Sequence, residues 1–154
     1  MGPKGELVSQ ISIKSDGDVI IELFRDKPHH LPNICPDLIE SVDLHSGQWG
    51  VVGSVVIWKY LLEGKKGVVS KDIIEATDEK KKSVTYNLME GDLQEHYKTM
   101  KFTISVDTSE EDDVVTLIFE YEKNTEDVPV PYPVMDATVS VIKALERYQL
   151  QVPT

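Results

Sequence analysis

The chain has a single cysteine, Cys35, in 154 residues, which rules out an internal disulfide framework and fits a reducing compartment. It has no run of ~18 apolar residues, the length that crosses a bilayer as a helix. Positive charge is in the minority: 16 Lys and Arg stand against 27 Asp and Glu, a formal net charge of −11. That balance argues against nucleic acid, whose phosphates need clustered cations, and against stable association with anionic membranes. No His-Glu-x-x-His, Cys-x-x-Cys or Gly-Lys-Ser/Thr is present, so no dedicated zinc site or phosphate loop is signalled. The stretch Met1-Gly2-Pro3-Lys4-Gly5-Glu6 lacks the apolar core of a signal peptide. Met1-Gly2 is a weak acylation signal, because Glu6 stands where Ser or Thr is expected. The expectation is a soluble cytoplasmic protein with no metal and no cofactor.

What is present is organised around Asp43 to Ser54, where Gly47, Gly50 and Gly53 recur at every third residue between two segments that read as strands. Glycine permits tight turns and positive φ. Since a strand rather than a helix follows Gly53, the loop reads as a curvature device within an antiparallel hairpin.

Around that loop, residues 6–14 alternate, with Leu7, Ile11 and Ile13 set against Val8 and Gln10, and predict a first strand. Ser15 is the expected cap of a helix that runs to Arg25. Pro28 to Pro36 predict a second short helix or turn. Alternating apolar segments separated by polar turns then predict six strands: 38–44, 55–62, 68–76, 83–89, one ending at Val106 and one through 115–121. After a proline-rich link, residues 134–149 carry a helical stripe of Met135, Thr138, Val139, Ile142 and Leu145. The fold class is α+β, with the whole of 1–154 forming one domain. Seven antiparallel strands with one apolar face need a cover, and the long C-terminal helix is the available one. Alternation turns Val56, Trp58, Tyr60, Tyr86, Phe102, Ile104, Leu117, Phe119 and Tyr121 inward. Those aromatics either fill a solid core or line a cavity suited to a largely apolar ligand.

Few residues carry chemistry. His29 and His30 lie at a helix junction, where a histidine could serve as general acid or base; local structural roles are the alternative. His45 and His96 read as structural or exposed. Cys35 as a nucleophile would need a base close in space, which proximity in sequence across prolines does not establish. Tyr60, Tyr86 and Tyr121 could donate to a ligand oxygen. Lys71, if inward, would be a cation in apolar surroundings. The weak catalytic candidates are therefore His30, Tyr60 and Lys71.

Four segments carry a family likeness: 27–33, 43–54, Met89-Glu90-Gly91-Asp92-Leu93 and Glu120-Tyr121-Glu122-Lys123-Asn124. In the same order they resemble plant major latex protein-like sequences, a branch of the birch-pollen-allergen and pathogenesis-related class 10 superfamily. The resemblance implies the helix-grip (START-like) fold: a seven-stranded curved sheet around a long C-terminal helix, two short helices after the first strand, and an internal hydrophobic cavity. The expected cavity wall comprises Phe24, His30, Leu31, Val56, Trp58, Tyr60, Tyr86, Phe102, Phe119, Met135, Val139 and Ile142. The resemblance further implies binding of a sterol, fatty acid or lysolipid, terpenoid or other plant metabolite, associated with defence or stress. One alternative is an enzyme that cyclises or isomerises a reactive terpenoid or alkaloid intermediate in that cavity. Another is a signalling module whose closed lid meets a protein partner. Lys59, His96 and the basic segment 63–67 depart from the family pattern.

Overall fold

A computed structural model describes residues 3–151. The acylation question at Met1-Gly2 lies outside the described residues. In chain order come β1 (Lys4–Ile13), α1 (Gly17–Arg25), a 3₁₀ turn (Pro28–His30), α2 (Leu31–Ile34), β2 (Ile39–Ser46), β3 (Val55–Leu62), β4 (Lys65–Asp78) and β5 (Ser83–Gly91). A second 3₁₀ turn (Asp92–Glu95), β6 (Tyr97–Asp107), β7 (Asp113–Lys123) and α3 (Tyr132–Gln151) complete it. The sheet order is β1-β7-β6-β5-β4-β3-β2, antiparallel throughout. Six of the strands form a meander of sequential neighbours, the arrangement that short turns favour.

The apolar alternation works as a sheet face should. In β7, Val115, Leu117, Phe119 and Tyr121 are buried, and their neighbours across β6 include Ile104 and Phe102. In β1 the inner set is Leu7, Ile11 and Ile13, whereas Val8 is 53% exposed on the outer face.

Helix α1 is capped by Asp16, not Ser15. The extended Asp16 accepts the Asp18 N–H at 2.9 Å, while the Ser15 Oγ is buried with no partner among the described residues. Asp113 on β7 accepts the Gly17 N–H at 2.8 Å, so two of the helix's free donors are filled. Ile20, Ile21, Leu23 and Phe24 face the core. The far end of α1 is moored to the sheet by the Tyr86 hydroxyl, which donates to the Phe24 carbonyl at 2.6 Å.

Three boundaries differ from expectation for identifiable reasons. Strand β4 starts at Lys65 because Glu63 and Gly64, both at positive φ, close the hairpin by themselves. The 3₁₀ turn at Asp92–Glu95 interrupts what reads as a direct turn into β6, and Asp92 there accepts the Val69 N–H at 3.0 Å. Helix α3 begins at Tyr132, earlier than the apolar stripe, because Pro131 and Pro133 fall where a first turn tolerates proline.

The glycine loop closes the β2–β3 hairpin and docks on α1. Gly47, Gly50 and Gly53 have φ of 87°, 78° and 91°. A Cβ on Gly50 would collide with the Asp26 carboxylate at the end of α1, and one on Gly47 with Ser54. Ser54 Oγ accepts the Gln48 N–H at 2.9 Å, and Gly53 donates to the Ile74 carbonyl at 2.9 Å. Between the glycines, Trp49 stacks on His29 with ring centroids 4.2 Å apart and planes at 19°.

Candidate functional site: a cavity between the sheet and the C-terminal helix

The concave face of the sheet and α3 do not meet everywhere. Between them lies a cavity of about 130 Å³. Its sheet side is built of rings that hold each other upright. Phe102 stacks on Phe119 at 4.8 Å, Phe24 meets Phe102 edge-on at 6.2 Å, and Trp58 meets Tyr86 edge-on at 5.5 Å. Stacked or packed edge to face, these rings cannot lean into the space without losing one another. Opposite them α3 presents Val134, Ala137, Thr138 and Val141, a helical i, i+3, i+4, i+7 set. Ala137 and Thr138 are too small to reach the sheet, and the gap remains. A wider opening, of about 550 Å³, lies on the outer face around Lys80, Lys81, Lys82 and Thr103. It is a polar surface depression without the convergent apolar wall of a small-molecule site.

Of the expected wall, Phe24, Trp58, Tyr60, Tyr86, Phe102 and Phe119 line the cavity. Val56, Leu31 and Ile142 do not: each is 0% exposed and packed on all sides, so no surface is left for a ligand. Met135 is likewise core, and Val139 packs against the core from its edge. The reason is helix phase. The wall of α3 is centred between Thr138 and Val141, and Met135, Val139 and Ile142 sit about 100° further round. His30 is exposed and absent from the wall. Its neighbour His29 is committed to the Trp49 stack, its Nδ1 buried without a partner among the described residues. Burial, helped by the adjacent His30 and Lys27, lowers the His29 pKa.

Lys71 is corrected too. It faces away from the cavity, with Nζ 3.4 Å from Glu90. The inward residues of β4 are its neighbours Ser70 and Asp72, neither of which the sequence reading singled out. The Ser70 hydroxyl donates to Asp72 Oδ1 at 2.7 Å. Asp72 is partly accessible, and what it faces is the cavity. Burial pushes its carboxyl up to about 6 against the opposing pull of that hydrogen bond. The Tyr60 phenol is pushed well above its ordinary range by burial and by the fields of Asp72 and Asp92, so it remains a protonated donor. Tyr86 is raised in the same way, but its hydroxyl is spent on Phe24.

Cys35 is buried, its Sγ–H donating to the Leu31 carbonyl at 3.4 Å, and burial pushes the thiol up to about 11. A thiol so placed is a poor nucleophile. Iodoacetamide at mildly alkaline pH is expected to leave the folded protein unlabelled while modifying the urea-unfolded chain rapidly. Equal labelling rates in the two states, followed by mass spectrometry, would contradict this. Among the described residues no group of three His, Cys, Asp or Glu could hold a metal ion, and no helix is long and apolar enough to cross a membrane.

A curved antiparallel sheet closed by one long helix over an apolar cavity is the helix-grip architecture. The chain belongs to the pathogenesis-related protein Bet v 1 family, whose profile it matches over residues 3–152. It is 36% identical over 148 residues to MLP-like protein 43 of Arabidopsis thaliana, spanning 95% of this chain and 93% of that protein. MLP-like protein 34 of the same plant is 38% identical over 94% of this chain, which spans only 46% of that relative's length. The structure of ginseng major latex-like protein 151 from Panax ginseng superposes with a TM-score of 0.94 at 46% identity, covering 97% of this chain and 99% of the other. The major latex protein-like resemblance read from the four sequence segments therefore holds. Norcoclaurine synthase from Thalictrum flavum, solved in complex with dopamine and hydroxybenzaldehyde, has a TM-score of 0.77 at 17% identity over 98% of this chain and 89% of its own. That likeness is one of fold alone.

Proposed function

We propose that this chain is a single ligand-binding domain that holds a small, largely apolar molecule between its sheet and α3. The observation that carries the reading is the cavity itself, with its upright aromatic wall facing Ala137 and Thr138. A ligand burying ~300 Å² of apolar surface there gains roughly 7 kcal/mol before association costs, which gives micromolar or weaker affinity. Sterols, lipids and terpenoids are the chemical range that family membership supports, and a role in plant defence or stress rests on that membership. One free, buried cysteine supports a reducing, cytoplasmic setting.

The test uses a neutral fluorescent probe, N-phenyl-1-naphthylamine. The protein is expected to bind it with micromolar affinity, and Ala137→Phe, which fills the gap, to weaken binding by roughly tenfold or more. A matched substitution at exposed Val8, Val8→Phe, should change nothing. Probe binding that ignores Ala137→Phe would sink the reading.

A second reading, an enzyme that cyclises or isomerises a reactive intermediate, is favoured by one observation. Asp72 is a carboxyl raised to about 6 on the wall of a largely apolar cavity, the setting of a general acid or base. Of the candidates read from the sequence, only Tyr60 lines the same cavity.

A further inference from the structure

Among the described residues Asp72 is the sole charged group on the cavity wall, and no lysine, arginine or histidine stands there with it. One carboxylate oxygen takes the Ser70 hydroxyl at 2.7 Å, which leaves the remaining acceptor sites of the group unfilled. The neighbouring cation, Lys71, is turned to the opposite face and held 3.4 Å from Glu90. Each element packed around Asp72 contributes either a neutral group or a negative one. Strand β3 brings Trp58 and Tyr60, β5 brings Tyr86, and α3 brings Thr138. Asp92 in the second 3₁₀ turn adds a negative field at Tyr60, and Asp26, paired with Arg25 at 3.0 Å, adds one at Tyr86. A second unfilled polar atom lies at the same end. The Trp58 indole N–H is buried without a partner among the described residues, and Trp58 sits directly opposite Ser70 in the β3–β4 ladder. The cavity thus has a polar, anionic end between β3 and β4 and an apolar end at Phe102 and Phe119.

Building on the binding reading above, we propose that the cavity selects apolar molecules bearing a protonated amine, with the ammonium against Asp72, and rejects carboxylates of the same body. A buried carboxylate without a counter-ion is unfavourable, and a cation seated on it converts that cost into a short charge-assisted hydrogen bond. The ring faces of Trp58, Tyr60 or Tyr86 add cation–π attraction. A fatty acid would bring a like charge to the same spot, so one of the two carboxyls would have to take up a proton. Of the ligand classes expected from the sequence, fatty acids move to the bottom of the order. Because burial holds the Asp72 carboxyl near 6, the preference for amines is present above that pH and fades below it.

The experiment compares decylamine, decanol and decanoate, each below its micelle concentration, by calorimetry and by displacement of the neutral probe. At about pH 7.5 decylamine is expected to bind roughly tenfold tighter than decanol, with decanoate weakest. Asp72→Asn should weaken decylamine by roughly tenfold and leave decanol within about twofold. Lowering the pH to about 5 should have the same effect on the unsubstituted protein but not on Asp72→Asn. Glu110→Gln, at the exposed hairpin tip, makes the same change in net charge and should leave all three affinities unaltered. Decanoate equal to decylamine, or a decylamine affinity that falls as much in Glu110→Gln as in Asp72→Asn, would overturn the proposal. If Ala137→Phe still abolished probe binding in that case, the cavity reading would stand without it. If neither the probe nor any decyl compound responded to Ala137→Phe, the cavity reading itself would fall.

Discussion

Replacing Asp72 with asparagine is expected to stabilise the folded protein by about 2 kcal/mol above pH 6, and by little or nothing at pH 4. Burial raises this carboxyl from 3.8 to about 6, so the folded state holds its proton more tightly than the unfolded chain does. Between those values the folded state binds more protons, and stability declines as pH rises through the window. Above it the full cost of the ionised group, about 3 kcal/mol, is in place. Asparagine removes the charge and keeps an oxygen for the Ser70 hydroxyl, while its amide, facing an apolar cavity, gives back part of the gain. Urea unfolding of both proteins at acid and neutral pH measures the difference. A gain that is the same at both pH values would contradict the assignment of the charge to this residue. A protein that keeps such a destabilising group gives up stability at that site.

The second large effect is at Ile142, which α3 buries completely. Ile142→Ala is expected to cost about 3 kcal/mol and to lower the melting temperature by roughly 6–12 °C, because the neighbours close only part of the space. Val139→Ala, three residues earlier at the edge of the core, should cost under about 1 kcal/mol. Equal losses would mean that α3 is rotated from the phase described above. The pair tests the geometry of the helix and not merely its presence.

That helix phase is one of two places where the sequence leaves the site illegible. Most strands were readable because their alternation is clean and their turns are rich in polar residues, as at 108–112 between β6 and β7. In α3, apolar residues occupy Val134, Met135, Val139, Val141, Ile142 and Leu145, a band too broad to show which edge touches the sheet. Only the partners across the cavity decide it. The other illegible place is β4, where Val68-Val69 and Ile73-Ile74 put apolar residues on both faces. A plain two-residue turn at Glu63-Gly64 would set Val56 opposite Lys71 and turn that lysine inward. A β-bulge between Tyr60 and Leu62 shifts the register by one, so Val56 lies opposite Asp72 and Trp58 opposite Ser70. A slip of one residue exchanges every side chain between faces. Thus an irregularity with no evident sequence signature exchanges a cation for an anion in the cavity. The aromatic wall escaped such ambiguity because Tyr86 and Phe102 lie in strands whose apolar residues fall mainly on one parity, and Phe119 alternates with Leu117 and Tyr121.

Strand β1 precedes all the others in the chain, yet its partner in the sheet is the last, from Lys4 opposite Glu122 to Ile13 opposite Asp113. Hairpins from β2 to β7 can form as soon as each is synthesised, since they need only neighbours. β1 must wait until more than a hundred further residues have emerged, and α3, which also packs against it, comes later still. Loop closure over such a separation is slow, and it places the protein with the millisecond-to-second folders whose contacts are far apart in sequence. While it waits, the unpaired β7 edge is open to other chains, a hazard of co-translational folding that the mature sheet no longer shows.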